Sequence, residues 1–299
     1  MTARRSPRGR GALLGLLLGL LLTAACAPAG DGQRSTAAVT AAIVGGTADS
    51  QDPAVVAIGM RRRDCDARLA VHCSGTLIAP RLVLTAAHCA LGPSSAGTLE
   101  VLFGSDSADP AAVLRRVAEV QVHPDYRADG DPADLALLLL ADSAPVAPVA
   151  LNSTALDGSA VGQSVRLVGF GQTRPTGEPP GQKRSGTATL SAVQSTQLRI
   201  VPGPSLSCHG DSGGPLLSSA SGSELLIGVI TTGDPGCATY GLNVRVDAFL
   251  RDFILPGVAR AQTAPPPPAD GPLADAPLCA AACASDADCP AGLVCQVGP

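Results

Sequence analysis

The stretch Cys208-His209-Gly210-Asp211-Ser212-Gly213-Gly214-Pro215 puts a serine hydroxyl, a carboxylate and a glycine-rich turn within eight residues. A serine hydroxyl is a poor nucleophile at neutral pH and needs a positioned base, itself oriented by a carboxylate. Both partners stand upstream. Thr85-Ala86-Ala87-His88-Cys89 offers the base, and Asp134, heading the apolar run Leu135-Ala136-Leu137-Leu138, offers the acid. Taken singly each is weak evidence: a lone histidine is more often structural, an acid before an apolar strand is usually a solvated strand end, and Gly-Asp-Ser-Gly is usually a turn. His72 and His123 are read in that ordinary sense and left out of the site.

The order His, Asp, Ser, with Ile43-Val44-Gly45-Gly46 ahead of it, resembles the chymotrypsin/trypsin-like serine proteases over about residues 43–258. The resemblance implies that Ser212 attacks the scissile carbonyl, that His88 takes its proton and returns it to the leaving amine, and that Asp134 fixes the imidazole tautomer. It gives the oxyanion hole to the N–H groups of Gly210 and Ser212. It also implies the disulfides Cys73–Cys89 and Cys208–Cys237, each closing a loop for about 3 kcal/mol in the chain-entropy account. In this family a new α-amino group, here that of Ile43, pairs with the acid before the nucleophile, here Asp211. Cleavage after Ala42 would thus activate a zymogen, and Ala42 does not call for a trypsin-like activator. The position six before the nucleophile, Asp in trypsin-like members, is Leu206. With Ser207, His209, Thr231, Gly233 and Gly241 as the remaining substrate-pocket residues, the expectation is an apolar side chain (Leu, Met, Phe or Tyr) before the scissile bond.

The elements that must position these groups read as all-β. Short strands at 55–58, 73–78, 82–84, 98–103, 116–122, 135–140, 165–171, 225–232 and 241–246 are punctuated by Gly and Pro, a sandwich or barrel pattern. On the resemblance this is two packed six-stranded antiparallel β-barrels. Apolar residues at helical spacing over 246–254 suggest a closing C-terminal helix. Residues 172–185, rich in Pro and Gly and holding Arg174, Lys183 and Arg184, read as an exposed loop open to nicking.

Composition bounds the rest. A chain of 299 residues with no Trp, two Tyr and four Phe must build its core from Val, Leu, Ile and Ala. The net charge of −4 supplies no basic footprint for nucleic acid. Arg4, Arg5, Arg8 and Arg10 precede an apolar run at 13–22, too short for a stable membrane anchor, so residues 1–26 read as a bacterial export signal. Leu22-Thr23-Ala24-Ala25-Cys26 resembles a lipoprotein cleavage box that would lipidate Cys26, the one membrane link expected; ordinary cleavage near Ala25 or Ala27 stays open. Residues 27–42 read as propeptide or linker, and 259–277 as a proline-rich linker holding Pro265-Pro266-Pro267-Pro268.

Residues 278–299 form a small tail with Cys279, Cys283, Cys289 and Cys295, spaced poorly for zinc and held by disulfides in some connectivity, leaving Cys65 over. No metal or cofactor is required, and Asp106 and Asp109 read as solvated turn acids. The leading expectation is an exported serine endopeptidase acting on protein or peptide, with an activating protease as a further partner. The alternative is an inactive protease-like binding or adhesion protein.

Overall fold

A computed structural model describes residues 43–61, 69–91, 99–127, 131–175 and 180–265. The expected export signal, Cys26, Cys65, most of the proline linker and the cysteine-rich tail lie outside the described residues.

After a two-residue strand β1 (Thr47–Ala48), six strands close the first barrel: β2 (Val55–Arg61), β3 (Leu69–Ala79), β4 (Leu82–Thr85), β5 (Leu99–Phe103), β6 (Val113–Val122) and β7 (Ala136–Leu140). They pair around the ring as β2-β3-β4-β7-β6-β5, every pairing antiparallel. β8 (Ser164–Gly169), β9 (Arg184–Val193), β10 (Gln197–Pro202), β11 (Pro215–Ser218), β12 (Leu225–Gly233) and β13 (Gly241–Arg245) form the second, closed by the β8–β9 and β8–β11 pairings. The fold is chymotrypsin-like.

β7 reads as an unbroken apolar run because both of its faces are buried. In β7, Ala136, Leu138 and Leu140 fill the first barrel, while Leu137 and Leu139 face a second cluster shared with Val168, Phe170, Val229 and Val244 of the other barrel. Alternation of side chains across a strand thus sends one set into the barrel and the other into the seam between barrels. The interior of the second barrel is equally aliphatic, built on Val165, Leu167, Leu190, Ile200, Leu216 and Ile227.

The closing helix differs from its expected bounds. A turn α2 (Val246–Phe249) passes through a π-helical turn, Leu250–Ile254, into α3 (Leu255–Thr263), beyond the boundary expected at residue 258. The wider turn keeps Leu250, Phe253 and Ile254 facing the core. A side chain at Gly257 would run into Leu137, so α3 lies directly on the first barrel although it follows the second in sequence. His123 is structural, packed 5.0 Å from the Phe249 ring and 4.7 Å from that of Phe253.

The end of the 172–185 stretch is not the exposed loop the sequence suggests. Lys183, the only lysine of the chain, is 2% exposed. Its ammonium donates to the Asp52 carbonyl at 2.6 Å and lies 5.4 Å from the Phe170 ring centre. Beside it Arg166 of β8 grips the Asp52 carboxylate at 2.5 and 2.7 Å, joining the second barrel to the approach of the first. The physical reason is that Lys183, the residue just before β9, lies against the 49–52 segment, where the Asp52 carbonyl takes its ammonium and Asp49 and Asp52 attract its charge.

Burial lowers the Lys183 pKa to about 8, against the opposing pull of Asp49 and Asp52. The folded chain therefore gives up this proton well before the unfolded chain does near the ordinary 10.5. Between those values the unfolded state binds more protons, so stability contributed here rises with pH. Urea unfolding of the wild type and of Lys183→Met between pH 7 and 10.5 will show the gap between them moving in favour of the wild type as pH rises; a constant gap would refute the buried-lysine account.

Candidate active site

His88 lies in α1 (Ala87–Ala90), the short helix that follows β4, and Asp134 is separated by Leu135 alone from the start of β7, the strand paired with β4. That register brings together two residues far apart in the chain. The Asp134 carboxylate, with no exposure, accepts the His88 main-chain N–H at 3.0 Å through one oxygen and contacts Nδ1 at 2.7 Å through the other. A carboxylate accepts only, so Nδ1 carries a hydrogen, and in the neutral ring the lone pair is then on Nε2. The same acid thereby caps the short helix and sets the imidazole tautomer.

Ser212 comes from the second barrel, in the turn before β11. Its hydroxyl donates to the Thr231 carbonyl at 3.1 Å, and its own carbonyl accepts from the Ser74 N–H of β3 at 2.8 Å. Gly213, at φ +82°, makes this approach possible: a Cβ there would overlap the Thr85 hydroxyl and the Ser74 carbonyl. Gly210, at φ +91°, likewise takes a conformation that glycine tolerates and other residues resist. Among the described residues no hydrogen bond engages the N–H of Gly210 or of Ser212, which leaves both donors for a bound oxygen.

The Asp211 carboxylate is turned toward the Gly171, Cys208 and Ile43 main chain. It has no exposure, and it accepts from Gly171 and Cys208 N–H at 2.8 Å each, with the Ile43 N–H as a further donor. Burial raises its pKa to about 7 although these donors favour the ionised form. Ile43 is itself wholly buried and sits at φ +47°, a strained region for a β-branched side chain. Both expected disulfides are present, Cys73–Cys89 beside the histidine and Cys208–Cys237 beside the cleft.

Next to Ser212 a cleft of about 230 Å3 is lined by Ser207, Cys208, His209, Ile230, Thr231, Thr232, Gly233, Asp234, Pro235 and Cys237. Leu206 is not among them. At 1% exposure it packs with Ile43 in the interior of the second barrel, because its backbone bridges to Val44 and turns the side chain away from the cleft. Gly241 stands just behind the wall, where a Cβ would meet the Ser207 hydroxyl at 3.2 Å. His209 is exposed at the rim.

Ile230, Thr232, Asp234 and Pro235 were not foreseen as lining residues. Alternation along a regular strand would put only every second residue on the cleft side, but β12 shifts register between Ile230 and Thr232, so consecutive residues reach it. That irregularity has no sequence signature short of a pairing map. Asp234, the only carboxylate of the wall among the described residues, is engaged at the rim: it accepts N–H groups of Thr239, Tyr240 and Ala238, which hold its pKa down at about 2.

A family model described as Trypsin matches residues 43–253. Among curated proteins, a trypsin of Simulium vittatum is 33% identical over 190 residues, 56% of this chain and 72% of that protein. A trypsin of Saccharopolyspora erythraea is 28% identical over 59% of this chain and 83% of its own length. Serine protease Hayan of Drosophila melanogaster is 31% identical over 62% of this chain, which spans only 34% of that longer protein.

The close approach at Gly213 yields a direct test. Gly213→Ala forces a Cβ into the seam at an unfavourable φ, and should destabilise the fold by about 1–3 kcal/mol or more in denaturant unfolding. An unchanged midpoint would mean the turn is not pressed against β3 as described.

Proposed function

The chain belongs to the trypsin family of serine proteases, and on that premise we propose that Ser212, His88 and Asp134 carry the hydrolysis of peptide bonds through an acyl-enzyme. The observation that carries this reading is the 2.7 Å contact between the fully buried Asp134 carboxylate and His88 Nδ1, beside the Ser212 turn. The Ser212 oxygen attacks the carbonyl carbon while its proton passes to His88 Nε2. The oxyanion is received by the Gly210 and Ser212 N–H groups, and the imidazolium stabilised by Asp134 then protonates the leaving amine. Water repeats the sequence to release the acid. To begin, the Ser212 hydroxyl must leave the Thr231 carbonyl, a side-chain rotation of the kind substrate binding commonly completes.

The proposal includes a precursor cut after Ala42. Asp211 is answered only by neutral N–H groups while Ile43 remains an amide; a free α-ammonium there supplies a full positive charge and favours the carboxylate. Cleavage also removes the preceding carbonyl that makes φ +47° costly for Ile43. In this reading the leading 26 residues direct export, and Cys26 is the point of lipid attachment if the lipoprotein box is used.

A fluorophosphonate probe, which loses fluoride as it phosphonylates an activated serine, tests the assignment. Labelling is expected for a form starting at Ile43, weakly or not at all for the uncut chain, and not for Ser212→Ala. Equal labelling of the uncut chain would remove the zymogen; no labelling of any form would leave a protease-like binding protein.

Among the described residues lining the cleft there is no fully buried acid to meet an arginine or lysine side chain, and the half-buried Asp234 is engaged by N–H groups of its own turn. An apolar residue before the scissile bond is therefore preferred. With a panel of chromogenic peptides, kcat/KM for Leu or Phe at that position should exceed that for Arg or Lys by about tenfold or more, the scale set by a buried charge left unpaired. The reverse order would refute the pocket assignment.

A further inference from the structure

We propose that Ser74, a residue of the first barrel, is the positioning residue of the oxyanion loop in the second. The inference rests on the protease reading above and adds to it a group outside the triad.

Ser74 lies in β3 with no exposure, and all its polar atoms are engaged around Ser212. Its hydroxyl donates to the Gly210 carbonyl at 2.9 Å and accepts the Phe170 N–H at 2.9 Å. Its main-chain N–H donates to the Ser212 carbonyl, and its carbonyl accepts the Thr85 hydroxyl at 2.8 Å. One residue thus holds the carbonyls of both amino acids whose N–H groups would receive the oxyanion.

The side-chain bond matters because of where Gly210 stands. Its N–H belongs to the His209–Gly210 peptide, whose carbonyl is fixed by the Gln172 N–H at 2.6 Å. Its carbonyl belongs to the next peptide, and the Ser74 hydroxyl fixes that one. A glycine at φ +91° has the widest choice of alternative conformations, so its N–H keeps one direction only while the peptides on both sides are anchored. The Phe170 N–H in turn orients the hydroxyl, since an oxygen that accepts there presents its hydrogen elsewhere. The adjacent Gly171 N–H binds Asp211, so the same turn serves the hydroxyl and the buried acid.

Removing the hydroxyl leaves the strand's main-chain bonds in place but orphans the Gly210 carbonyl and the Phe170 N–H. The result is an oxyanion donor that is present but no longer aimed. Removal of a whole oxyanion donor costs about 100- to 1000-fold in kcat, and loss of its aim should cost about 10- to 100-fold.

The experiment uses the form starting at Ile43, with Ser74→Ala and, to guard against poor folding of that variant, Ser74→Gly as a second hydroxyl-less variant. Both should lose about tenfold or more in kcat with KM changed less than about threefold. Affinity for a peptide aldehyde, whose adduct places an oxyanion in the same hole, should fall in step with kcat/KM. A kcat within twofold of the parent in either folded variant, or a loss confined to KM, would overturn the proposal. A parent that neither turns over peptides nor takes the fluorophosphonate probe would instead overturn the protease reading itself.

Discussion

A carboxylate with no access to water must be answered from every side, and the surroundings of Asp211 are shaped to that requirement. Its oxygens take N–H groups from the chain before it and from the turn after β8. The side chain lies so close to that turn that a Cβ at Gly169 or Gly171 would collide with it, which explains the glycines on both sides of Phe170. Gly214 is pinned in the same way by the Asp211 carbonyl and by Val168. The end of β8, the Ser212 turn and the Ile43 segment therefore meet on one carboxylate.

A second constraint comes from the division of labour between barrels. On the proposed reading the base His88 and its orienting acid Asp134 belong to the first, and Ser212 with the Gly210 turn to the second. Their relative placement depends on the seam, which is aliphatic in its middle and polar at one side, where Arg166 and Lys183 meet Asp52. Aliphatic packing alone tolerates sliding, because the hydrophobic effect is non-directional. Directional bonds across the seam remove that freedom, and the Ser74 N–H to the Ser212 carbonyl does so at the nucleophile itself.

What the sequence made legible was local chemistry carried by short motifs. The Ser212 turn, the His88 segment and Asp134 could be found because each is written in a few adjacent residues, and the strands around them by apolar runs. The barrel pairing could not be read from those runs: in β7 both faces are buried, so the pattern does not say which side faces which neighbour. Leu206 illustrates the cost. Its place in the motif is that of a pocket residue, yet a single bridge to Val44 rotates it into the core. Lys183 failed for a related reason: a lysine in a Pro/Gly-rich stretch reads as solvated unless the acids it will meet, from the far end of the chain, are known.

The cleft wall follows from the same logic. A regular strand would offer alternate residues to a substrate, and the register shift in β12 instead offers a run that includes Ile230, Thr231 and Thr232. Thr231 then has two duties, since its hydroxyl is tied to the Leu242 carbonyl across the sheet while its own carbonyl holds the resting Ser212 hydroxyl. A nucleophile parked on a carbonyl is held as a donor, the orientation it needs in order to give its proton to a base. On the proposed reading the hydroxyl turns from the Thr231 carbonyl toward His88, while the Gly210 and Ser212 N–H groups, among the described residues, stay outside the hydrogen bonding of the turn that carries them.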